Sequence, residues 1–286
     1  MENEKIQKGD INNMSNMTLA ERYSNLVDFK LRNELVLKDG VVFNNRYNGD
    51  PKAGSVNVRK SGEANVGTYN RRTGCDISYG SSEWINIPID KDMYINELID
   101  RYEASSIPKS LVADILDSVG FGLAQIIDKD GAKELIENGT VLEDTTALTK
   151  QTVYNRFVDV MVELDENNIP TNGRYAIVAP KVYALIIKSE EFIKASALGD
   201  EIVKTGAVGQ IAGFTLYKSN NLGEDVEVIF GHPNCATRVN EWGVQAHVQD
   251  LAESGKFVGA CAVQGRKIYA HKVTEPKGIL IKKSDK

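Results

Sequence analysis

The sequence predicts an α+β fold, and three observations carry that prediction. Residues 44–90 alternate with period 2 between recurrent glycines, and residues 105–137 then repeat at helical spacing. From residue 175 onward, short apolar strands mix with helical segments. Strands first, long helices next and a mixed segment last is the order of an α+β chain rather than of a repeating βα unit.

The N-terminal residues come first. Residues 1–17 are polar and asparagine-rich, which predicts a mobile arm. Thr18 is a suitable N-cap for a short helix carrying Leu19, Tyr23, Leu26 and Val27.

Residues 44–90 differ in kind. Glycines recur at Gly49, Gly54, Gly62, Gly67, Gly74 and Gly80. Between them lie Val56 and Val58, then Ile77 and Tyr79, then Ile85, Ile87 and Ile89. This pattern predicts a long twisted β-hairpin. Its middle has too few large apolar groups for a core of its own, so the hairpin either flaps or rests on another surface. A connection this long in a compact domain usually has a function.

From residue 105 the period changes. Ser106 and Pro108 suit a helix start. Leu111, Ile115, Val119, Leu123 and Ile127 then lie within an apolar arc of about 200°. Asp114, Asp117 and Asp128 fall on the opposite side as an acidic stripe. Gly120 and Gly122 predict close packing against another element. A second helix is predicted over 149–165 from Val153, Phe157, Val160, Met161 and Leu164, and 167–173 reads as a turn.

The mixed segment follows. Residues 175–179 read as a buried strand, and Pro180 opens a helix through Val182, Leu185 and Ile186, with more helix expected to about Ile202. Residues 209–222 read as strand then turn, and 226–232 as a strand. Alternation at Val244, Ala246 and Val248 predicts another. A short helix near 255–264 and a closing pair of strands, 267–273 and 278–283, complete the expectation.

The formal charge of −6 argues against a dedicated nucleic-acid binder. Residues 91–150 hold 6 basic and 12 acidic groups, so the deficit sits in the helix-bearing stretch. The hairpin middle is positive through Arg59, Lys60, Arg71 and Arg72, and the tail is lysine-rich. Solvated faces are the bland explanation. Opposed patches on one chain also suit a contact between copies. No apolar run is long enough to span a bilayer. Cys75, Cys235 and Cys261 are few and scattered, which suits a reducing compartment.

Catalytic signatures are missing from the sequence. It has no phosphate-binding loop, no nucleophile elbow and no H-E-x-x-H. His232 and Cys235 form one H-x-x-C pair with no second pair to complete a zinc site, so a structural turn is expected. Asp165 and Glu166 end a helix and read as solvated. Trp84 and Trp242 read as core or interface anchors. The expectation is a protein without catalytic residues, metal or cofactor.

Taken in order, these parts resemble the major capsid proteins of tailed bacteriophages, with the Hong Kong 97-type fold, over roughly residues 18–283. The likeness rests on several segments together. EWINIPIDKDMYINELID (83–100) is similar to the return of that family's extended loop, and 105–137 to its spine helix. RYAIVAPKVYALI (174–186) and GQIAGFTLYKSNNL (209–222) are similar to parts of its axial domain. GKFVGACAVQGRKIYAHKVTEPKGIL (255–280) is similar to its closing helix and peripheral strand. The resemblance implies an N-terminal arm at 1–48 and an extended loop at 49–97. It implies a peripheral domain with the spine helix at 98–172 and 255–286, and an axial domain at 173–254.

The resemblance also implies a role. Many copies would join as pentamers and hexamers into an icosahedral virion shell around double-stranded DNA, assembled in the host cytoplasm with a separate scaffolding protein and a portal. An encapsulin-like shell packaging an enzyme is the alternative. Because the loop of this family lies over a neighbouring subunit, the expected contact residues are Arg59, Lys60, Arg71, Arg72 and Trp84 of one copy. They would meet Asp114 and Asp117 of the next; ordinary surface charge is the rival explanation. Lys277, Lys282, Lys283 and Lys286 are expected to touch packaged DNA non-specifically if the tail faces inward.

Overall fold

The structure is a computed structural model. It describes residues 36–46, 54–61, 66–75, 82–100, 110–189, 209–251, 256 and 258–284. The predicted arm at 1–17, the helix from Thr18, and Ile77 and Tyr79 lie outside the described residues.

A two-stranded hairpin, two larger sheets and one long helix organise the described chain. Strands β1 (Ser55–Ser61) and β2 (Ser82–Pro88) form an antiparallel hairpin. Strand β3 (Lys91–Asp100) leaves it and joins a three-stranded sheet in the order β3-β10-β9, with β9 at Ala236–Asp250 and β10 at Ala260–Val273. The stretch 82–100 is thus divided between two sheets.

Six strands make the second sheet: β4 (Thr140–Val141), β5 (Tyr175–Val178), β6 (Gln210–Ile211), β7 (Phe214–Lys218), β8 (Val226–Gly231) and β11 (Ile279–Lys283). Their order is β4-β11-β8-β5-β7-β6. Alternation sorts its central strand. Ala176 and Val178 enter one core with Phe157, Phe214 and Phe230. Tyr175 and Ile177 enter the other with Phe43, Leu135 and Ile281. The first core is closed by helices α2 (Val153–Glu166) and α3 (Pro180–Ile187), whose buried residues Val153, Phe157, Val160, Leu164, Val182 and Ile186 make the expected stripes.

Helix α1 (Ser110–Asn138) has 29 residues, about 43 Å at 1.5 Å per residue, and is long enough to serve both sheets. Val119 packs with Ile99, Cys261 and Val263 of the three-stranded sheet. Ala132 and Leu135 pack under the six-stranded one. Gly122 is one of the predicted close approaches, since a Cβ there would meet Ile95 Cδ1 at 3.1 Å, whereas Gly120 faces open space.

Several expectations are corrected. Residues 260–264 are strand, not helix, because β10 is paired on both sides, by β3 and β9. The helix opened by Pro180 is present, Pro180–Ile187, with Lys188 at its C-cap; the further helix expected to about Ile202 falls in 190–208, outside the described residues. Gln210–Lys218 is a tight hairpin with Ala212 and Gly213 both at positive φ, the geometry of a two-residue loop. The closing strands do not pair with each other, since β11 lies between β4 and β8. Asp128 is not on a solvated stripe. It is buried and accepts from Leu37 N–H and Asn221 Nδ2, each at 2.8 Å.

Candidate assembly surfaces

The hairpin has two unlike faces, and period 2 assigns its residues to them. Val58 and Ile87 are buried against Val239 of β9 and Ala270 of β10, with Val56 and Ile85 beside them. The hairpin therefore rests on the chain's own sheet. Lys60 strengthens the seat through an ion pair with Glu275. The opposite face carries Arg59 directly across from Trp84, and Asn57 across from Asn86, whose Nδ2 donates to Asn57 Oδ1 at 2.6 Å. Arg59 is exposed and Trp84 is 65% exposed.

Towards the tip, Asn70 and Gly74 exchange backbone hydrogen bonds at 3.2 and 2.8 Å around a small turn. Gly74 sits at φ 78°, which a side chain would strain. The Asn70 side chain accepts from Arg72 N–H at 2.9 Å. This turn presents Arg71 and Arg72 to solvent beside exposed Val66 and Tyr69. Cys75 is exposed next to it.

Of the expected acidic partners, Asp117 is exposed on α1. Asp114 lies in the same helix, with its side chain outside the described residues. The structure thus places Arg59 with Trp84, and Arg71 with Arg72, while Lys60 is already engaged by Glu275.

A second surface escaped the sequence reading. Helix α1 covers one face of the three-stranded sheet. The pairing register puts Tyr94, Asn96 and Leu98 of β3, Gln264 and Arg266 of β10, and Trp242 of β9 on the other face. The hairpin covers only the Val239–Ala270 end of that face. Tyr94 remains 74% exposed and Trp242 42% exposed. Arg266 donates to Asp92 Oδ1 at 2.8 Å, and its guanidinium lies 5.6 Å from the Trp242 ring centroid. The hydrogen bond from Arg266 holds the Asp92 carboxyl below its usual range. No alternation marks this face in the sequence, since Tyr94, Asn96, Leu98 and Ile95, Glu97, Ile99 each mix apolar and polar residues.

The remaining chemistry is structural. His232 and Cys235 flank a 3-10 turn, Pro233–Cys235. The ring accepts from Asn234 N–H at 3.2 Å and its other nitrogen lies 3.0 Å from Asn172 O. Burial pushes the Cys235 thiol up to about 11, with Glu275 adding to it. Among the described residues no cluster of three His, Cys, Asp or Glu is disposed to hold a metal, and no helix is long and apolar enough to cross a membrane. Asp165 is not merely solvated; it pairs at 2.6 Å with Arg174, which is buried and also donates to Ile169 O and Pro170 O. Lys282 is likewise buried, its Nζ donating to Asp144 O at 2.5 Å, so it is not available to phosphates.

Comparison with solved structures finds this architecture in phage particles. The capsid structure of cyanophage P-SCSP1u matches over 93% of this chain and 93% of its own, with a TM-score of 0.78 at 15% identity. A chain of Mycobacterium phage Che8 matches over 93% and 97%, with a TM-score of 0.75 at 20% identity. The fold is that of a phage capsid subunit. The mature capsid of bacteriophage PhiM1 matches in the same way, over 92% and 91%, with a TM-score of 0.70 at 11% identity. At these coverages the likeness takes in nearly the whole chain. No family model and no curated protein matches the sequence.

Proposed function

We propose that this chain is the major capsid protein of a tailed double-stranded DNA bacteriophage, self-assembling into an icosahedral virion shell around the genome. The observation that carries it is end-to-end agreement of fold, over 93% of this chain, with a structure titled as a phage capsid. Its finer form is the Hong Kong 97-type subunit: 49–97 as the extended loop, α1 as the spine helix, the three-stranded sheet as peripheral domain and the six-stranded sheet as axial domain. The role is structural and not enzymatic. Pentamers and hexamers of this one chain, a scaffolding protein and a portal would be its partners, and its contact with DNA non-specific.

Within that reading, the hairpin of one copy docks on the next. Arg71 and Arg72 at the tip meet the acidic side of α1 at Asp114 and Asp117. Arg59 and Trp84 lie on the hairpin face left free by the intramolecular seat. Lys60 belongs to that seat instead. Opposite charges on two parts of one chain favour a head-to-tail contact, which closes into rings when the rotation permits.

Negative-stain electron microscopy of the purified full chain, alone and with its scaffolding protein, tests the reading. Hollow shells or capsomer rings are expected. Double-stranded DNA in native particles selects a phage shell, and a packaged enzyme selects the encapsulin-like alternative. A protein that stays monomeric at high concentration with the scaffolding protein present overturns both.

A further inference from the structure

Residues 36–46 form a strap that crosses between the two sheets. Leu37, Val42 and Phe43 are buried. Its polar ties go to α1 and β9. Leu37 N–H donates to Asp128 of α1, and the same carboxylate accepts from Asn221 after β7. Asn44 N–H donates to Ala236 O of β9 at 2.9 Å, and Arg238 N–H returns a bond to Asn44 O at 2.8 Å. The main tie is the Arg238 side chain. It donates through Nη1 to Asp39 Oδ1, through Nη2 to Leu37 O, and through Nε to His271 Nε2, each at 2.8 Å. Its guanidinium also lies 4.9 Å from the Phe43 ring centroid.

The His271 contact has a chemical condition. A ring nitrogen accepts from Arg238 Nε–H only in the neutral imidazole. Protonation would turn that acceptor into a donor and set a second cation against the guanidinium. The charges around His271 leave no relief. Arg238 of β9, Lys267 of β10 and Lys91 of β3 are cations that oppose it. The nearby carboxylates are already engaged. Asp39 accepts from Arg238, Asp130 from the Tyr269 hydroxyl at 2.7 Å, and Glu134 from Val273 N–H at 3.2 Å. Asp90, Lys133, Glu137 and Lys272 line the same cleft; Asp90 pairs with Lys91 at 3.5 Å and Lys133 with Glu137 at 3.8 Å. With Nε2 accepting, Nδ1 carries the neutral ring's hydrogen and is buried without a partner, so the added proton has only the Nε2 position, facing Arg238. The ring cannot withdraw by moving towards α1, because Gly131 is packed against it. A Cβ at Gly131 would meet Phe43 Cε2 at 2.9 Å and His271 Nε2 at 3.3 Å.

We propose that the 36–46 strap is a releasable latch, held shut by the neutral His271–Arg238 hydrogen bond and opened by protonation of His271. The inference stands on this chain's own contacts and does not depend on the assembly reading. In the closed state burial holds the ring down to about 3. In the open state it returns to the ordinary value near 6.5, so each pH unit below that favours opening about tenfold. The open population therefore rises about 100-fold between pH 7.5 and pH 4.5.

Hydrogen–deuterium exchange of the full chain, corrected for intrinsic rates, reads this directly at the Leu37, Val42 and Asn44 amides. Wild type is expected to lose protection there about eightfold between pH 6 and pH 5, while the β5 and β8 amides stay protected. His271→Gln keeps a neutral acceptor at every pH and is expected to give a flat profile. Three results overturn the latch: strap protection that does not change with pH, a fall that coincides with that of the core strands, or the same fall in H271Q. The wild-type slope alone decides the matter should H271Q not fold.

Discussion

Arg59 and Trp84 stand directly opposite each other across the β1–β2 ladder, on the hairpin face turned away from the rest of the chain. Neither is needed to hold the hairpin in place, because Val58, Ile87 and the Lys60–Glu275 pair do that on the other face. A large exposed aromatic beside an arginine is the composition of an interface centre awaiting a partner. Trp84→Ala is expected to leave subunit stability within about 0.5 kcal/mol, as for an exposed site. The same change should cut the yield of assembled particles severely. Thermal unfolding of the unassembled protein and particle counts by electron microscopy check the two halves.

The inner face gives the opposite outcome. Ile87 is fully buried against Val239 and Ala270. Ile87→Ala is expected to cost about 2–4 kcal/mol, lost transfer energy plus the cavity left behind. Protease cleavage within 54–61 and 82–88 should rise in the isolated subunit. Lys60→Ala, which removes a half-exposed ion pair, should cost under about 1 kcal/mol. Urea titration of both variants tests the ranking.

Much of this fold is legible in the sequence wherever one period persists. The α2 stripe and the base of the hairpin follow from spacing, because each buries one consistent face, and the Tyr175–Val178 strand follows from a continuous apolar run buried on both faces. What the sequence hides is long-range. Ala260, Cys261 and Ala262 suit a helix locally, and only pairing with β3 and β9 makes them strand. Asp128 has helical neighbours like any surface aspartate, and its partner amide lies 91 residues earlier. Lys282 sits in a basic tail, yet alternation in β11 turns it inward to Asp144. For the candidate surfaces, the hairpin charges were readable. The open sheet face with Tyr94 and Trp242 was not, because it exists only once β3 is known to pair with β10.

The three thiols should separate by pH and exposure. Cys75 is exposed, whereas Cys235 and Cys261 are buried. Burial holds the Cys235 thiol up to about 11, so it stays mostly protonated at pH 9.5. Alkylation at pH 9.5 is expected to modify Cys75 rapidly and Cys235 only on unfolding. Peptide mass spectrometry after a timed pulse identifies the modified residue.

Gly231 tests the packing of the six-stranded sheet. A Cβ there would lie 2.5 Å from the Tyr175 hydroxyl, which is itself buried. Gly231→Ala is expected to destabilise the subunit by about 1–3 kcal/mol through overpacking. Gly231→Ala with Tyr175→Phe, which removes the clashing oxygen, should recover part of the loss. Denaturant midpoints of the single and double variants measure the coupling.

The central claim is that identical copies of this chain join through the hairpin. Sedimentation velocity of the full chain with its scaffolding protein, wild type against Arg71→Glu/Arg72→Glu, tests it most directly. The account predicts that wild type sediments as large closed particles and that the charge-reversed protein, equally folded by circular dichroism, remains as subunits or small rings. Wild type sedimenting only as monomer, or both proteins assembling alike, would contradict it.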